Sequence, residues 1–435
     1  MLVKSGTYNE LVTILHSMTL QSAPGAKPIV DGTWLTVPAN DAAMVLINGI
    51  NSVIVQGFEI RNFKTTNSQA IPTGILIEGK ADQVVIRGNY VHNIENNGSD
   101  AANINAFGIV AYGNSAKGAI THLLIDKNEV SDTKTGNSET VVVNGNVNGF
   151  QITNNVVHDT NNIGIDCIGF EGTSPIKGQD QARNGLVAQN TVYNVTSLHN
   201  PSYGGSQSAD GIYVDGGTAI VIERNIIHHV DLGMEVTSEH LGKVASAVTV
   251  RNNQFYACNV VGLSIGGYDA KRGGTLNCTF VNNTFYQDDT TNSGSGEFMV
   301  QFHTKGNVFK NNILSASAQG VLISTATGAG VPGVASDYNL FFTSAPASWT
   351  WGAPTYSTLA TFSKASKGDT HSKFLDPHFV DLIAHDFHLA SGSPARKAGT
   401  NLGALIVGTL DLAGVSRLAG NTIDLGCFES TVTGP

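Results

Sequence analysis

Short apolar runs alternate with polar positions through most of the chain, as in VVIRG, LLIDK, FQITN and VIERN. Alternation at period two marks a strand with one buried face. Each run leads into an asparagine, and the segments GNYV, KNEV, NNVV, QNTV, RNII, NNQF, NNTF and NNIL align Asn89, Asn128, Asn155, Asn190, Asn225, Asn253, Asn283 and Asn312. Successive members lie 27 to 39 residues apart, a variable period that suits a solenoid whose loops differ in length from turn to turn. A second strand of the form Gly-apolar-x-apolar-x recurs as GIVAY at 108, GIDCI at 164, GIYVD at 211, GMEVT at 233 and GLSIG at 262.

Stacked strands of this kind bond to the turns before and after them, and their apolar positions build one continuous core. The expected fold is all-β, a right-handed parallel β-helix. Its asparagines form an internal ladder at a bend, each amide bonded to the next, so that polar groups turned inward are satisfied. A β-propeller or sandwich would need a fixed period and hairpin signals such as Asn-Gly between antiparallel strands. The variable spacing argues against both.

The composition agrees. Of 435 residues, 13% are charged, about half the usual share, while Gly 49 against Pro 12 points to many tight turns. A net charge of −10 without a clustered basic surface excludes nucleic acid as a partner. Cys167, Cys258, Cys278 and Cys427 are too scattered for a disulfide framework or a zinc site and read as apolar fillers. No apolar run reaches the ~18 residues of a membrane span. Met1 opens directly onto LVKSGTYNELVTI, strand and turn already under way, so a leader and an N-terminal cap are expected upstream.

With its repeated Gly-apolar-x-apolar strands and N-x-V-H-D type turns, the chain resembles the pectate-lyase-like superfamily of carbohydrate-active β-helix proteins over residues 50 to 330. KSGTYNE is similar to the first coil of such proteins, and DPHFVD, DFHLASGSPARKAG and IDLGCFES to a C-terminal segment common in their secreted bacterial members. The resemblance implies a β-helix over 1–340, a segment over 341–435 packing on or capping it, and a secreted or cell-surface bacterial protein. It leaves the reaction open, because the superfamily hosts lyases, hydrolases, epimerases, esterases and phage tailspikes.

In the five-residue strand the second and fourth residues point inward, so the third and fifth are expected to face solvent. Down successive coils the third position reads Val110, Asp166, Tyr213, Glu235 and Ser264, and the fifth Tyr112, Ile168, Asp215, Thr237 and Gly266. Asp166, Asp215 and Glu235 are thus expected on one outer wall, where packed like charges require a proton or a cation. The long excursions at 172–184, 197–210 and 237–246 are expected as cleft walls. They place Tyr213, Tyr203 and His199 to stack on sugar rings, and Asp180, Arg183, Glu239, His240 and Asp269 to meet hydroxyls. His92, His158, His228 and His229 follow the ladder asparagines at a fixed offset and read as turn residues. Trp34, Trp349 and Trp351 lie outside the central coils, which excludes a Trp-lined groove there.

Three activities fit this pattern. The foremost is hydrolysis of a plant or microbial polysaccharide or oligosaccharide by a carboxyl pair, with Asp215 as nucleophile or base, Glu235 as acid and Asp166 flanking, and with no cofactor. Some β-helix xylosidases resemble this arrangement with both acids at the fifth position, whereas here Thr237 occupies the second of those places. The next is calcium-dependent elimination on a uronate polymer, with Asp166, Asp215 and Glu235 caging the ion and Lys177, Arg183, Lys271 or Arg272 as base. The last is glycan binding without catalysis.

Overall fold

The computed structural model describes residues 1–418 and 422–430. Two compact units divide the chain, Met1–Thr218 and Ala219–Pro435. Each is a right-handed parallel β-helix, as the alternating runs and the spaced asparagines require.

In the first unit every coil lays one strand on each of three sheets. Among the described residues these run from Leu2–Val3 to Arg183–Ala188, from Gly6–Tyr8 to Thr191–Val195, and from Val12–Ile14 to Asp210–Asp215. Pairing is parallel and in register, as in Val85 with Leu124, Val91 with Val130 and Ile109 with Val141. At the inward positions apolar residues therefore stack on apolar ones, and Ile86, Val91, Ile109 and Ile125 are fully buried.

The asparagine ladder stands at the bend between the first and second sheets. Asn89 donates its side-chain amide to Asn128 Oδ1 (3.0 Å), Asn128 to Asn155 (3.0 Å) and Asn155 to Asn190 (3.0 Å). The same oxygens accept backbone N–H groups, as when Asn128 Oδ1 takes that of Asn89. The residue before each is left-handed, with φ of 59° at Gly88, 56° at Lys127 and 55° at Asn154, which turns the chain so that the amide points inward. A bend that would bury unpaired backbone groups is thereby satisfied.

The second unit repeats this plan. Asn225, Asn253, Asn283 and Asn312 bond in series at 2.9 to 3.1 Å. The series runs one step further than the alignment, to Asn339 (3.3 Å). Phe255, Phe285 and Phe309 fill its core. On the outside of its second sheet, Tyr256 packs with Phe387, Cys427 and Phe428 of the C-terminal segment. The fully buried Arg417 fastens that segment through Glu429 (2.9 Å) and Asn252 (2.9 Å). All four cysteines are buried and free. His92, His158, His228 and His229 lie within strands, and a left-handed residue directly follows each of the first three, with φ of 53° at Asn93, 52° at Asp159 and 52° at His229.

Candidate functional site

On the outer face of the first unit's third sheet, one column of paired residues runs Leu46, Leu76, Val110, Val142, Asp166, Tyr213. Its apolar part belongs to a buried cluster with Phe107 and Ile168. The alternation expected from sequence holds, since Ile165, Cys167, Ile212 and Val214 fill the core. Exposure does not follow from it: Asp166 is 2% exposed, Tyr213 4% and Asp215 5%. These side chains point away from the core yet are covered.

The excursion after Ile168 folds back, with Phe170 N–H bonded to Asp180 O and Gln181 Nε2 to Gly216 O. Asp180 is spent on that loop, accepting the N–H groups of Gly172 (2.7 Å) and Ser174 (2.8 Å). The excursion carrying His199 and Tyr203 docks through Asn200 on the carbonyls of Gly136 and Asn161, and through Ser202 on that of Ala101. There His199 is exposed and Tyr203 half-buried. Arg183 sits on the first sheet and donates to Asn146 Oδ1 (2.7 Å) and Gln181 O (3.0 Å), and loss of water lowers its pKa.

Asp166 lies among carboxyls. Burial raises its pKa well above the carboxylate range, and the charges of Glu139, Asp215 and Asp210 push it the same way. A backbone hydrogen bond from Asp215 offsets only part of this, and Asp166 Oδ1 has no hydrogen-bond partner. Desolvation and like charge both disfavour the ionised form of this carboxyl.

In the second unit Glu235 occupies the matching place on the third sheet, paired with Ser264, and is 7% exposed. The Ser264 hydroxyl donates to Glu235 Oε1 (3.0 Å). Burial raises the Glu235 carboxyl to about 7, the Ser264 bond opposes this, and the charge of Glu239 adds to it. Glu239 is half-buried and meets Arg272 at 3.6 Å. The Arg272 guanidinium lies over the Tyr268 ring, 4.6 Å from its centroid, and that ring is 45% exposed. Asp269 takes the Lys271 N–H (2.6 Å), closing the turn that presents Arg272. His240 shapes the facing turn: its N–H meets Ser238 Oγ (3.3 Å) and its carbonyl accepts the Lys243 N–H. A Cβ on Gly273 would lie 2.3 Å from Lys243 O, so only glycine lets the two turns close on each other.

The family model for a right-handed β-helix region matches residues 73–285 and 180–352. The chain belongs to the right-handed β-helix family. A relative from Bacillus subtilis (strain 168), the uncharacterized protein YwoF, is 34% identical over 403 residues, 91% of this chain and 84% of that one. Solved structures with partial likeness include pectate lyase Pel9A (13% identical, 99% of this chain and 87% of that one, TM-score 0.46). Others are a GH87 alpha-1,3-glucanase from Streptomyces thermodiastaticus (13%, 75% and 56%, 0.44) and the A-module of the Azotobacter vinelandii mannuronan C-5 epimerase AlgE4 (10%, 76% and 90%, 0.42).

Asp166 and Asp215 do interact, joined by Glu139 and Asp210, while Glu235 gathers Glu239, Tyr268, Arg272 and Ser264. Ser264 was readable, since it stands at the third position of the next strand. Tyr268 had no such signal, because loop contacts carry no period.

Proposed function

We propose that the chain is a carbohydrate-active enzyme, a glycoside hydrolase whose carboxyl pair is Glu235 and Glu239. The observation that carries this reading is the Glu235 carboxyl, buried and raised to about 7 beside a second carboxyl tethered by Arg272. A general acid works best with a pKa near the pH at which it operates. Glu235 would protonate the leaving oxygen, and Glu239, less buried, would act as nucleophile or activate water. Tyr268 offers an exposed ring for a sugar face, and Arg272 holds Glu239 and keeps its charge compensated.

Calcium-dependent elimination on a uronate polymer is supported by two features. Arg272 gives the second unit a cation beside its acids, a group that a sugar carboxylate would meet. Asp166, with Glu139, Asp210 and Asp215, supplies the all-oxygen set that calcium prefers, and a cation would relieve the same repulsion as a proton.

Purified protein incubated with plant and microbial polysaccharides, with and without EDTA, separates the readings. Hydrolysis gives new reducing ends without an unsaturated sugar and is indifferent to EDTA. Elimination gives ultraviolet-absorbing unsaturated ends that EDTA abolishes. Binding with an unchanged glycan would defeat both.

A further inference from the structure

Inside the second unit, away from the outer face, Asp288 and Glu297 are both fully buried. They bracket residues 289–296, which connect the strand Thr284–Tyr286 to the strand Phe298–Val300. The Asp289 carboxylate organises that connection by accepting the N–H groups of Ser293 (2.6 Å), Gly294 (2.9 Å) and Gly296 (3.1 Å). Its two ends are tied by the carboxyls: Asp288 N–H donates to Glu297 Oε2 (3.3 Å), and Asp288 Oδ1 accepts the Cys258 N–H (2.9 Å).

One oxygen on each acid, Asp288 Oδ2 and Glu297 Oε1, finds no donor when both groups are ionised. The Cys258 thiol offers Asp288 only a weak hydrogen bond. The titratable groups acting on the pair are Cys258 and Asp289, with Asp231 acting through Cys258 and Tyr286 facing Glu297. Each of these is neutral or negative, and no Lys, Arg or His is among them. Gly262 adds no room, since a Cβ there would lie 2.5 Å from Asp288 Oδ2. Two bare carboxylates in this space would repel at low dielectric.

We infer that Asp288 and Glu297 share a single proton, the Glu297 O–H donating to the Asp288 carboxylate, and that this proton latches the 289–296 loop so that alkaline pH releases it. The direction follows from linkage. Burial and mutual repulsion raise both groups above their ordinary values. The folded state therefore holds a proton that the unfolded chain has lost. The stability contributed by the pair's protonation is fully present below the ordinary carboxylate range and is lost as pH rises through the pair's raised values, where the last shared proton leaves.

Hydrogen exchange read by mass spectrometry on the full chain tests this locally, after correction for the intrinsic pH dependence of exchange. The expected result is that protection of the 288–297 amides falls at least about tenfold from mildly acidic to mildly alkaline pH. The ladder segments should hold theirs. Glu297→Gln, whose amide donates the same hydrogen bond without ionising, should keep protection at both pH values. Should that variant not fold, Asp288→Asn donates in the opposite sense and serves instead. Protection that is flat with pH in the unaltered protein, or a fall that persists in the amide variant, would overturn the latch.

Discussion

Asp166 in the first unit and Glu235 in the second hold the same position in the same strand motif, point away from the core, and are both covered. Their surroundings differ. The charges acting on Asp166 come from Glu139, Asp215 and Asp210, and one of its oxygens has no partner. Glu235 accepts a hydroxyl from Ser264 and stands near a carboxyl that Arg272, stacked on Tyr268, partly neutralises. Burial and like charge raise the Asp166 carboxyl well above the ordinary carboxylate range, whereas the Glu235 carboxyl is raised to about 7. The repeat decides where a carboxyl points, and the loop that follows decides what it can do.

Glu235→Gln should lower kcat on the cleaved glycan by ~10²–10⁴, with the circular dichroism spectrum unchanged. An equal loss in Asp166→Asn would erase the contrast between the two sites. The pH dependence has a definite sign: as a general acid, Glu235 must be protonated, so kcat/KM should fall as pH rises through about 7.

Asn128→Ala and Asn283→Ala should each destabilise by about 2 kcal/mol, since each strips a buried backbone N–H of its acceptor. Matching losses in urea titrations would show that the scaffold is the same in both units and that the difference lies in the loops. Arg272→Ala should lower kcat/KM by about tenfold. It should also move the alkaline limb upward, because an uncompensated Glu239 raises Glu235 further.

Asp166→Asn carries the smallest expected change, a Tm gain of about 2–4 °C at neutral pH. A raised carboxyl pKa contributes fully below the unfolded value of about 3.9 and costs stability as pH rises above it. The gain should therefore grow with pH.

The solenoid was legible in the sequence because its determinants repeat. Asn89, Asn128 and Asn155 are spaced by the coil, and each must satisfy a backbone group on the coil before it. Asn339 escaped because its segment, YNLFF, offers a weaker match to the other ladder sequences. At the site, side-chain direction was legible and exposure was not. Period-two alternation assigns Asp166 to the outer face, but the loop that covers it is irregular, held by single bonds such as Gln181 to Gly216 O. The bonds that Arg183 makes to Asn146 and Asp269 to a local turn were not legible for a related reason, since loop contacts carry no period.

The account rests on Glu235 carrying a proton near neutral pH. The direct measurement is a carboxyl ¹³C NMR titration with labelled glutamate, comparing the unaltered protein with Glu235→Gln. The account predicts that the resonance missing from the variant titrates near 7. A resonance titrating near the ordinary 4.5 would contradict it.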